Sequence, residues 1–75
     1  MNKKEYFNYV LKLIDTEKRI SVLEQEIQDY IKDNEYMSIE HLLNIGHKYS
    51  QLYTLKKNKD NLFNKVAIGY QYIQD

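Results

Sequence analysis

A chain without proline, in which Gly46 and Gly69 are the only glycines, has few places where a helix is obliged to stop. Turn-rich β architectures need both residue types at their corners, so their scarcity points to an all-α fold built from long helices. Within 75 residues this leaves room for one small helical domain spanning 1–75.

Apolar spacing divides the chain in two. Tyr6, Val10, Leu13, Ile20, Leu23, Ile27 and Ile31 recur at mostly three- and four-residue steps, which aligns them on one helical face with a polar gap near Thr16 and Glu17. Asn2 followed by Glu5 reads as a capping box and places the start near Lys3. A polar break at Asn34 to Ser38 follows, with Asn34 suited to close the first helix and Ser38 to cap the second ahead of Glu40. The second stripe runs through Leu42, Ile45, Tyr49, Leu52, Lys56, Lys59, Phe63, Val66, Tyr70 and Ile73. Folding the chain about Tyr36 pairs residues whose numbers sum to about 73, so the polar gaps coincide and Glu17 faces Lys56. The architecture expected is a long antiparallel helical hairpin. In the alternative, helix two breaks near 57–61 and Asp60 caps a third helix.

Such a hairpin does not use all its apolar residues. Phe7, Leu11, Ile14 and Val22 fall outside the first stripe, and Ile39, Leu43, Leu55, Leu62 and Ile68 outside the second. Without cysteine, neither disulfides nor thiolate-bound metal can reinforce so small a core, and association is the device that remains. Dimerisation into a helical bundle, or docking on another protein, would bury these residues. Phe7, Leu11, Ile14, Ile39, Leu43, Leu55 and Leu62 are therefore the candidate partner interface. Of the eight tyrosines, Tyr9, Tyr30, Tyr36, Tyr53 and Tyr72 are left for a partner, since tyrosine joins a large contact area to a polar tip.

Little in the residue pattern supports catalysis. His41 and His47 stand about 240° apart on a helix, so they cannot share a metal, and each reads as a solvated surface group. The carboxylates of the first helix match a solvated acidic face, and two isolated glycines build no phosphate-cradling loop. Neither an enzyme nor a cofactor is expected.

The outline of Ile20 to Leu55 is similar to the small helical-hairpin phosphatases that act on aspartyl-phosphate in sporulation signalling. Those proteins carry Ser-Gln-x-Leu-Asp on their second helix. The matching stretch here is Gly46, His47, Lys48, Tyr49 and Ser50, and with Ser50 in place of the motif's Asp the activity does not carry over.

Net charge is zero, but the middle of the chain is acidic from Asp15 to Glu40, and Lys48, Lys56, Lys57, Lys59 and Lys65 reverse the sign after His41. Lys56, Lys57, Lys59 and Lys65 form a candidate basic face, near Tyr53 and Phe63, for a nucleic-acid-associated accessory protein. The reading preferred is a non-catalytic protein–protein interaction module acting as inhibitor, adaptor or regulator, with a protein partner or itself as homo-oligomer. Nucleic acid and membrane are not expected partners. With no apolar run near the roughly 18 residues of a membrane span and a polar N-terminus, the expected compartment is the cytoplasm. Ten lysines against the single Arg19, with abundant Asn, Ile and Tyr, suggest AT-rich coding of the kind found in low-GC bacteria, their phages and mobile elements.

Overall fold

The computed structural model describes residues 1–33 and 38–73. Two helices, α1 (Lys3–Asp33) and α2 (Ile39–Gly69), pack as a hairpin, and a short 3₁₀ turn, Tyr70–Tyr72, follows α2. The molecule is a rod of 57 × 15 × 13 Å with a radius of gyration of 17.0 Å. A compact chain of this length would have a radius nearer 11 Å.

Both helix starts are set by local chemistry. The Glu5 backbone N–H donates to Asn2 Oδ1 at 2.8 Å. The expected box closes differently on its other side: the Glu5 carboxylate accepts from the Asn2 side-chain amide at 3.4 Å. Ser38 caps α2 by accepting from the His41 backbone N–H at 3.3 Å, and Glu40 lies in the first turn, where the helix dipole favours an anion. The expected closure at Asn34, like Tyr36, lies outside the described residues.

Helix α2 runs unbroken through 56–61, so the three-helix alternative is not adopted. Nothing in Lys56 to Asn61 forbids helix, and Leu55, Lys59 and Leu62 keep one packing phase across it.

Half-buried and buried positions define the seam. On α1 they include Tyr6, Tyr9, Leu13, Thr16, Ile20, Leu23, Ile27 and Tyr30, and on α2 His41, Ile45, Lys48, Leu52, Leu55, Lys59, Leu62, Val66 and Gly69. Both series alternate steps of three and four, the spacing of a two-stranded coiled coil. Ile20, Ile27 and Leu52 form its buried centre, flanked by Leu23 and Leu55.

The expected register survives. Tyr30 contacts Asn44 and Tyr9 contacts Lys65, pairs whose numbers each sum to 74. The expected face of helix two does not. Leu42, Tyr49, Phe63 and Tyr70 are exposed, whereas Leu55 and Leu62, expected outside the stripe, are half-buried in it. Leu55 and Leu62 bury no polar atom, whereas Tyr49 and Tyr70 turned inward would add their hydroxyls to a seam that already holds those of Tyr6, Tyr9 and Tyr30. Gly69 favours the same rotation, because a Cβ there would stand 2.8 Å from Met1 Sδ. On α1, Ile31 is exposed rather than in the seam, while Tyr9 and Tyr30, expected to be left for a partner, are half-buried.

Gly46 provides a test of local energetics. It lies mid-helix, and an added Cβ meets nothing within 4 Å. Gly46→Ala is expected to stabilise the chain by about 0.5–1 kcal/mol through reduced backbone entropy. Urea titration should show a higher midpoint at unchanged slope, and a lower midpoint would mean that this segment is not helical in solution.

Candidate functional site

The seam divides the surface of the rod into two flanks. On one, the α1 row Phe7, Val10, Ile14, Glu17, Glu24 and Ile31 lies beside the α2 row Leu42, Tyr49, Lys56, Phe63 and Tyr70. Contacts that cross on this side include Lys56 Nζ to Glu24 Oε1 at 3.8 Å and the rings of Tyr6 and Tyr70 with centroids 6.5 Å apart. The other flank is mainly polar, with Lys12, Arg19 and Glu26 of α1 beside Asn44, Gln51, Asn58 and Lys65 of α2. There the Tyr30 hydroxyl accepts from the Asn44 side-chain amide at 3.4 Å, and Lys65 Nζ lies 5.2 Å from the Tyr9 ring centroid.

The first flank carries a second ordered stripe. Along α2 and into the turn that follows it, Ile39, Leu42, Gly46, Tyr49, Tyr53, Lys56, Asp60, Phe63, Ala67 and Tyr70 alternate steps of three and four, as the seam does one residue away. Its large apolar members are open: Ile39 is 78% exposed, Phe63 57% and Leu42 53%, and Phe7 across the groove is 61% exposed. Apolar side chains gather at both ends of the flank, and Glu17, Ser21, Glu24, Lys56 and Asp60 occupy the middle.

Of the candidate interface residues, Phe7, Ile14 and Ile39 lie on this flank, and Leu11 and Leu43 are exposed further round the outer surface. Leu55 packs on the buried centre and Leu62 is half-buried in the seam, so these two do not share a surface with the rest. Leu42, Tyr49, Phe63 and Tyr70 join it instead. Their heptad spacing is visible in the sequence, where it fits the seam equally well.

The four lysines of the candidate basic face diverge. Lys56 reaches Glu24, Lys57 is exposed, Lys59 is half-buried at a seam position and Lys65 lies over Tyr9 on the opposite flank. Lys56 therefore meets Glu24 and not Glu17. Side chains that exposed, 56% and 46%, make the pair worth about 0–1 kcal/mol.

His41 is half-buried, unlike the solvated group expected. Its ring meets Tyr30 edge-on at 5.7 Å, and its Nδ1 is enclosed with no hydrogen-bond partner among the described residues. His47 is exposed and within 3.4 Å of the Gln51 side-chain amide. Among the described residues no three His, Asp or Glu converge as metal ligands, and no helix is long and apolar enough to cross a membrane. Compared with known proteins, the chain matches no family model, no curated protein and no solved structure.

Proposed function

We propose that the chain is a non-catalytic protein–protein interaction module, an inhibitor, adaptor or regulator, whose apolar flank receives further helices and completes a bundle. The observation that supports this reading is the second stripe of α2, ordered like the seam yet exposed along its length. Helices whose apolar width exceeds what one neighbour covers pack against more than one. Large exposed apolar patches of this kind mark interaction sites. The helices that complete the bundle come from a second copy or from another protein.

The reading is tested by two double variants that leave the seam intact. Leu42→Glu with Phe63→Glu charges the apolar flank, and Val22→Glu with Ile68→Glu charges exposed positions away from it. Sedimentation velocity and partner capture should show association lost in the first pair and kept in the second, with helical circular dichroism retained in both. Equal behaviour of the two pairs would remove the flank from consideration. A submicromolar, steeply salt-sensitive gel shift, abolished by Lys56→Glu with Lys57→Glu, would replace this reading with nucleic-acid binding.

A further inference from the structure

We infer that the occupant of the apolar flank is a second copy of this chain. The two hairpins lie turn end to turn end, with α1 of each across from α2 of the other. The inference rests on the reading above that the flank recognises protein, and it adds the partner and its orientation.

Area is the first argument. The chain exposes 6156 Å², whereas a compact monomer of 9.1 kDa would expose about 4,900 Å². One long face of the rod, 57 by 15 Å, offers about 850 Å². A stable interface buries about 800 Å² per partner, so one face closed on a copy of itself supplies the area a dimer needs.

Charge and pattern then choose the symmetry. A flat face can meet its own copy through a two-fold axis lying along the rod or across it. With the axis along the rod, each level faces the same level. Phe7 and Val10 then meet Phe63 and Tyr70 of the second copy, Ile14 lies at the level of Asp60, and Ile31 meets Leu42. In the polar middle Glu17, which pairs with no cation among the described residues, meets Lys56 of the second copy, and this happens twice by symmetry. With the axis across the rod, α1 faces α1. Glu17 then falls on its own counterpart near mid-length, and Phe63 falls at the level of Gly46. Both arrangements set apolar ends on apolar ends, since the flank is apolar at each end, and only the first sets opposite charges on each other. Like charges brought together in an interface are disfavoured.

The chain has no cysteine, so single spin labels can be placed through Lys4→Cys near the open end and Glu40→Cys near the turn end, both exposed. Pulsed electron paramagnetic resonance on the full chain should give label-to-label distances of about 30 Å or less in both variants, since neighbouring helix axes lie about 8–10 Å apart. The crosswise arrangement would give about 40 Å or more in both, from about 1.5 Å per residue along each helix, and would overturn the inference. Glu17→Lys should weaken dimerisation about five- to tenfold at low salt without loss of helicity, because it reverses two symmetric contacts. Short distances that persist in Leu42→Glu with Phe63→Glu would place the dimer on another face and also overturn it. A chain that stays monomeric at several hundred micromolar overturns the second copy as occupant. The broader reading then stands only if the same flank variant abolishes capture of a different protein.

Discussion

Replacing Ile27 by aspartate should unfold the hairpin. Among the described residues Ile27 is the most buried apolar side chain at 2% exposure, and with Ile20 and Leu52 it forms the buried centre. Truncating such a residue costs about 2–5 kcal/mol, and a carboxylate placed there without a partner adds a desolvation penalty of several more. A chain this small has about that much stability to lose. Far-UV circular dichroism at 25 °C should show most of the helical signal gone in Ile27→Asp. Lys57→Glu, at an exposed position, should keep it. Equal loss in the two variants, or equal retention, would show that the packed face has been assigned wrongly.

The opposite sign is expected from the polar layer of the seam. Thr16 and Lys59 are half-buried seam residues at the same level of the rod. The Thr16 hydroxyl donates to the Lys12 carbonyl at 2.8 Å, so its donor is satisfied within its own helix. Thr16→Leu with Lys59→Leu would extend the apolar contact between Leu13 and Ile20. Burying a leucine fully is worth about 1.5–3 kcal/mol, and for half-buried sites about 1 kcal/mol each is expected. Chemical denaturation should show a higher midpoint at an unchanged slope. A polar layer also fixes register in paired helices, so the double variant should tolerate a shifted pairing that the parent disfavours. Lower stability in both single variants would mean that these side chains do not face the other helix.

The two outcomes probe different features of the same seam. Loss in Ile27→Asp tests where the energy lies, and gain in the leucine pair tests where stability has been given up for a defined pairing. Neither depends on the occupant of the apolar flank. They can therefore be measured at concentrations where association is absent, and the flank variants measured separately.

Much of this architecture was already determined by the sequence. The missing prolines and scarce glycines left long helices uninterrupted, and apolar residues at three- and four-residue steps gave each a face to pack. Asn2 with Glu5, and Ser38 with Glu40, marked both helix starts through side chains that satisfy the first free amides. The antiparallel register followed from matching the polar gaps, and Tyr30 with Asn44 and Tyr9 with Lys65 hold it.

The rotation of α2 was decided only by tertiary packing. Two adjacent rows, Leu42, Tyr49, Lys56, Phe63 and Tyr70 or His41, Lys48, Leu55, Leu62 and Gly69, combine equally well with Ile45, Leu52 and Val66 as a helical stripe. They differ by one residue, about 100° of rotation, and periodicity within one helix cannot rank them. The choice rests on what each row meets across the seam: tyrosine hydroxyls that would need partners there, leucines that need none, and a glycine against which Met1 and Tyr6 can close. That rotation moved Leu55 and Leu62 inward, left an aromatic row exposed and spread four lysines around the rod. The surface open to a partner is a property of the helix pair, because it is what remains after the helices have packed against each other.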